Sequence, residues 1–230
     1  MVDAHATRLV RRRFFSPAVL AGAALLALAL RSFVVAPFSI PSRSMQPLLL
    51  PGDQLFAARW GQPDRGDVVI FRVGATKYIK RLIGLPGEHV QMVHGRLVLN
   101  GVAVPRRKLS DGQAPCRDRI RAICRLPRYR EWLPNGRSYV ILQPGGLSAA
   151  DDTIEFHVPP AHYFVLGDNR DDSADSRFAP GEAGGVGYVA RADMVGRALA
   201  IWFSTDGSAA WWQPWRWVAA TRWSRIGSIA

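Results

Sequence analysis

Histidine and lysine are scarce in this sequence. There are five histidines: His5, His89, His94, His157 and His162. No HExxH occurs and none of them has a partner at helical ligand spacing, so zinc hydrolysis is not expected and no metal is assigned. A Ser-His-Asp triad converges only in space, but His94 in VHGR and His157 in EFHV read as strand-surface residues. The two cysteines, Cys116 and Cys124, are too few for a four-thiolate zinc site. In an oxidising compartment they close a small disulfide loop, and otherwise they are free thiols. No cofactor is expected. A strand–long helix–strand rhythm is also missing, which argues against a parallel α/β sheet.

Only Lys77, Lys80 and Lys108 stand among 30 basic residues, the rest being arginine. A chain this rich in arginine has little need of lysine for charge alone. Lys80 sits in the apolar frame YIKRLIGLPG, on the same face as Tyr78 and Leu82 by period-2 alternation, with Lys77 facing the other way. If that face is buried, desolvation lowers the lysine pKa toward neutrality, and a neutral amine can take a serine proton where arginine cannot. The competing reading is a snorkelling surface lysine.

The charge of +12 is unevenly placed. Arginines crowd the N-terminus and the stretch 105–135, whereas 151–175 is acidic. Basic runs suit nucleic acid or anionic lipid; no nucleic-acid motif accompanies them, so nucleic acid is not expected. Residues 1–13 read as a cytoplasmic basic tail and 14–35 as a transmembrane helix, long enough to cross a hydrocarbon core. A cleavable signal peptide ending near Ala36 is the alternative. The region 36–230 then lies outside the cytoplasm, with 105–135 as a projecting basic loop. Five tryptophans near the C-terminus suit either a headgroup region or a core edge.

After residue 52 short β-branched and aromatic runs alternate with glycine and proline, as in GDVVIFRV and HYFVLGD, so the outer region is mostly β. Asn100-Gly101 signals a hairpin. Two further stretches bear chemistry. IPSRSMQPLLLPGD places Ser42 and Ser44 between prolines, and GDNRDDSADSRF reads as a polar turn, its calcium frame spoiled by Ser176 and Pro180.

Five pieces in order, RSFVVAPFSIPSRSMQPLL, RGDVVIF, YIKRLIGLPGE, GDNRDDSADSR and MVGRALAIW, resemble the bacterial type I signal peptidases, membrane-anchored Ser/Lys peptidases. The resemblance implies an elaborated antiparallel β domain with a small barrel-like core (a signal peptidase/LexA-like fold). It also implies a serine endopeptidase at the inner membrane that removes signal peptides from secreted preproteins. By the same resemblance Ser44 is the nucleophile and Lys80 its base, Ser42 joins the Ser44 amide in an oxyanion hole, and Ser173 orients the lysine. Asp175 and Arg177 match a structural ion pair. Phe38, Ile40, Met45 and Ile79 are expected, from proximity in sequence, to line shallow pockets for small residues. Preproteins and phospholipid are the expected partners, and the enzyme is expected to be monomeric. Two readings stay open: a peptidase dedicated to one substrate, and an anchored β-domain that binds envelope polymers or nucleic acid.

Overall fold

The computed structural model describes residues 16, 17, 19, 21, 22, 36–59, 61–115, 123–143, 150–182, 184–210 and 212–229. The expected basic tail at 1–13, most of the expected membrane helix at 14–35, and Cys116 lie outside them. Among the described residues no helix is long and apolar enough to cross a membrane.

The chain first lays down β1 (Ala36–Ser39), β2 (Asp53–Ala58), β3 (Val68–Val73) and β4 (Thr76–Gly84). Then come β5 (His89–Val93), β6 (Arg96–Leu99), β7 (Val102–Ala103) and β8 (Arg106–Lys108). Four more strands follow: β9 (Gly112–Pro115), β10 (Ile123–Leu126), β11 (Arg128–Trp132) and β12 (Ser138–Leu142). The last are β13 (Phe156–His157), β14 (His162–Leu166), β15 (Val189–Ala190), β16 (Met194–Ser204) and β17 (Gly227–Ser228). The short helix α1 (Pro214–Ala220) lies between the final two.

The main sheet runs β1-β2-β16-β3-β4-β14-β15, with β17 against β16, and every pairing in it is antiparallel. Its central strands β3 and β4 are apolar on both faces, with Val69, Ile70, Phe71, Leu82 and Ile83 fully buried, because core clusters cover both sides. A satellite sheet orders β13-β5-β6-β7. The expected hairpin is there: Leu99 pairs with Val102 across Asn100 and Gly101, both with positive φ, as a tight primed turn demands. His94, expected on a strand, instead occupies a second such turn between β5 and β6 (φ 48°), since Val93 pairs directly with Arg96.

The stretch 105–135 is not an open loop in its described residues. β8 and β11 extend β12 into a three-stranded sheet, and β9 pairs with β10. The aromatic residues of RYREW lie under guanidinium groups of the paired strand, Arg106 over Tyr129 and Arg107 over Trp132. Cys124 is disulfide-bonded. At the far end Trp212, Trp215, Trp217 and Trp223 are exposed, and the segment carrying them is held by Arg222 and Arg225, which reach the 48–53 turn.

Candidate active site

Between β1 and β2 the chain makes a tight excursion closed at its base by backbone bonds, Ile40 N–H to Asp53 O and Gly52 N–H to Ile40 O. Ile40, Met45 and Leu49 drive into a core cluster with Leu55, Val68, Ala198 and Ile201. These apolar anchors hold the turn and leave Ser42 and Ser44 at its rim. Ser42 is exposed and Ser44 nearly buried, and the Ser44 N–H donates to Ser42 Oγ at 3.1 Å.

Lys80 lies opposite Val69 in the β3–β4 ladder. It is 3% exposed, with its Nζ 2.8 Å from Ser44 Oγ and 3.0 Å from Ser173 Oγ. Burial pulls its pKa down from 10.5 to about 8. Asp175 pulls upward, but Arg177 beside it opposes that pull, so burial prevails. Lys77 lies in the same regular ladder, opposite Arg72, on the face away from Tyr78. It reaches over the Phe38 ring, 5.2 Å from the centroid, and lines the same cleft as Lys80.

Ser173 arrives on the loop after β14. A Cβ on Gly167 would stand 2.2 Å from Ser173 Oγ and 2.6 Å from Ser44 O, so only glycine lets the backbone pass between them. Asn169 N–H donates to Ser44 O at 3.0 Å, and Arg43 faces Asp172 at 3.5 Å, tying this loop to the serine turn. Asp175 is fully buried. It accepts from Arg177 Nε at 2.8 Å and Nη2 at 2.9 Å, and from the Gly167 amide at 2.9 Å. Burial alone would raise its pKa, yet Arg177 holds it below the ordinary carboxylate value.

Two further buried pairs stand nearby. Arg81, next to the lysine, binds Asp168 through Nε at 2.7 Å and Nη2 at 2.6 Å. Arg170 reaches Glu131 at 2.5 Å, with Tyr139 donating to the same carboxylate at 2.7 Å. Neither pair was singled out from sequence, nor was Gly167. The RDD and KRL contexts hint at the arginines, but partners up to 87 residues apart have no local signature.

Beside Ser44 and Lys80 opens a cleft of about 780 Å³. Phe38, Ile40, Met45 and Ile79 all line it, as do Ser42 and Ser173, while Asp175 and Arg177 lie behind. A hydroxyl against a buried, proton-poor amine at the edge of an apolar cleft is an arrangement from which an amine can take a hydroxyl proton.

The family described as signal peptidase, peptidase S26, matches residues 12–203 of this chain. A signal peptidase I of Rickettsia typhi (strain ATCC VR-144 / Wilmington) is 32% identical over 220 residues, covering 81% of this chain and 78% of its own. One from Rickettsia conorii (strain ATCC VR-613 / Malish 7) is 30% identical over 220 residues, with 81% and 77% covered. A crystal structure of a signal peptidase I from Enterococcus faecalis V583 covers 60% of this chain and 97% of its own at 24% identity; its TM-score of 0.32 is too low to argue fold from. The chain belongs to the signal peptidase family, peptidase S26, and is a serine peptidase of that family.

Proposed function

We propose that Ser44 and Lys80 form the catalytic dyad with which this enzyme removes signal peptides, and that Ser173 holds the lysine in place. The observation that carries the proposal is the buried Nζ of Lys80 set 2.8 Å from Ser44 Oγ, with its pKa lowered to about 8. At pH 7 that shift raises the neutral fraction of a lysine from about 1 in 3,000 to about 1 in 10.

In the first step Ser44 Oγ attacks the scissile carbonyl carbon while its proton passes to Lys80 Nζ. The ammonium then protonates the leaving amine, the C–N bond breaks, and an ester to Ser44 remains. Water attacks that ester with Lys80 again accepting the proton; the ester C–O bond then breaks as Lys80 returns the proton to Ser44 Oγ, and the signal peptide leaves with a new carboxylate. The oxyanion formed in each half is assigned to the Ser44 amide and the Ser42 hydroxyl. At rest the amide donates to that hydroxyl, so Ser42 must swing outward before both can donate to substrate. Each donor of this kind is worth on the order of 10²–10³ in rate.

Phe38, Ile40, Met45 and Ile79 supply an apolar surface that admits small side chains before the cut. The membrane placement belongs to the same proposal. A helix at 14–35 anchors the enzyme in the inner membrane with its N-terminus in the cytoplasm, and a catalytic domain from 36 onward works on the outer side as a monomer. The exposed tryptophans of the C-terminal segment, with Phe56 stacked on Trp202, suit contact with phospholipid.

The test is cleavage of a purified preprotein by the full chain in detergent and in lipid, with the new N-terminus mapped, beside Lys80→Ala checked by circular dichroism. A cut after a small residue, lost in a folded Lys80→Ala, is the expected result. Full activity without Lys80 removes the dyad, and cutting of a single preprotein among several unrelated ones marks a dedicated peptidase.

A further inference from the structure

On the satellite sheet, three side chains converge that peptide hydrolysis does not use. β13 is two residues long and pairs with β5 so that His157 stands directly opposite His89. Glu155 precedes His157 by two residues, a spacing that returns an extended chain to the same face. The two imidazole rings lie 4.0 Å apart between centroids. One carboxylate oxygen, Glu155 Oε2, sits 3.3 Å from His89 Nδ1 and 3.5 Å from His157 Nε2. All three candidate ligand atoms fall within 4.8 Å of one another.

We propose that His89, Glu155 and His157 form a binding site for a divalent transition-metal ion of the zinc class. Metal–nitrogen and metal–oxygen bonds of roughly 2.0–2.2 Å, arranged tetrahedrally, put neighbouring ligand atoms about 3.3–3.5 Å apart. Both nitrogen–oxygen separations already have that length. The two ring nitrogens lie within 4.8 Å of each other, and rotation of the exposed His157 ring can shorten that separation. Two imidazoles with one carboxylate and no thiolate favour zinc or its late first-row neighbours over magnesium or calcium, which prefer all-oxygen shells. Three protein ligands leave a fourth position for water.

A plain histidine–carboxylate ion pair explains the arrangement less well. It uses one imidazolium and leaves a second ring crowded against the first, whereas a divalent ion engages both rings and the carboxylate together. Glu155 and His157 are exposed and His89 half-buried, so an ion enters from solvent without opening the core. The backbone beneath is fixed, with His89 N–H on Asn100 Oδ1 at 2.8 Å and Val158 N–H on Glu88 O at 2.9 Å. β13 has no sheet partner but β5 among the described residues, so the ion would fasten an edge strand to its neighbour. None of the three residues lines the Ser44–Lys80 cleft, which makes stability the readout and not turnover.

The experiment uses the full chain in detergent, purified through a tag free of histidine and stripped with a chelator. Zn²⁺ is titrated in by calorimetry, and thermal unfolding is followed with and without it. One ion per chain and a rise in Tm of a few degrees are expected at saturating Zn²⁺. His157→Ala and Glu155→Gln lie at the surface and should keep the zinc-free Tm while weakening binding by about tenfold or more. His94→Ala serves as the control, because His94 and Asp152 form a separate exposed pair. The proposal is overturned by absence of saturable binding, by unchanged affinity in both site variants, or by loss of binding in His94→Ala alone.

Discussion

Asp53 and Lys80 are both buried and both ionisable, yet their surroundings differ in kind. Asp53, at the head of β2, receives Arg225 through Nε at 3.1 Å and Nη2 at 2.6 Å, the Ser204 hydroxyl at 2.7 Å and the Leu50 amide at 2.8 Å. Lys80 meets two hydroxyls and, among the described residues, no salt-bridging carboxylate. The acids nearest it are already taken, Asp168 by Arg81 and Asp175 by Arg177. Where this chain needs a charge for architecture it supplies an arginine to match. At the cleft Lys80 has no salt-bridging carboxylate among the described residues, so burial prevails and its pKa is lowered.

Exchanging these two charges for neutral side chains should give opposite results. Lys80→Met is expected to lower kcat by about 10⁴, since Ser44 loses its proposed base, while leaving Tm unchanged or higher because an uncompensated buried charge is gone. Asp53→Asn should keep most of the turnover per folded molecule and lose about 2–4 kcal/mol of stability. That is less than a wholly buried pair costs, because Arg225 reaches water along part of its length. Chemical unfolding and single-substrate kinetics on the two variants decide the matter. A stability loss in Lys80→Met as large as that in Asp53→Asn would mean that the lysine is part of the framework.

The same contrast sets two pH dependences. With the folded-state pKa of Lys80 near 8, kcat/KM should fall about tenfold per unit below that value and level off above it. Stability moves likewise. Between about 8 and 10.5 the unfolded chain binds a proton that the folded one has released, so this lysine's contribution to stability rises with pH by at most about 3 kcal/mol. The charged lysine costs most below pH 8. Asp53 and Asp175 have the same sign in a lower pH window, but there the charged form is the stabilised one. Burial raises both, but arginine partners hold both below the ordinary value, so their contribution is present above pH 4 and lost as pH falls through the depressed pKa. Wild type minus Lys80→Met, measured as Tm against pH, isolates the alkaline part. A flat difference curve between pH 8 and 10 would refute the lowered pKa.

How much of this was legible beforehand depended on whether it was local. The faces of β4 follow from YIKRLIG, and the Asn100-Gly101 hairpin from its dipeptide, because both are written within a few residues. The serine turn could be placed but not given a function from its prolines; resemblance supplied the role. Partners set by register had no local trace. His157 meets His89 only because β13 pairs with β5, and a search at helical spacing passes over a cross-strand pair. Arg225 reaches Asp53 across 172 residues. In 105–135, arginine and proline hid strands in which aromatic rings lie beneath guanidinium groups. The close approach at Gly167 depends on two loops meeting, which no single stretch of sequence encodes.

The smallest expected effect concerns what replaces the missing carboxylate. Ser173 Oγ, 3.0 Å from Nζ, offers a lone pair without a charge. In the proposed role it fixes the direction of the amine while adding little stabilisation to the ammonium. Ser173→Ala should cost about 10–100-fold in kcat with KM nearly unchanged, because the hydroxyl acts on the base and not on the substrate. It should also move the acidic limb of the pH–rate profile below that of wild type, since the ammonium loses an acceptor while the neutral amine loses less. A merely structural serine would lower stability and leave the limb in place. Ser173→Asp sharpens the contrast, because it gives Lys80 the carboxylate that Asp53 has in reverse. The limb should then move to higher pH and activity at neutral pH should fall, as Lys80 becomes half of an ordinary ion pair.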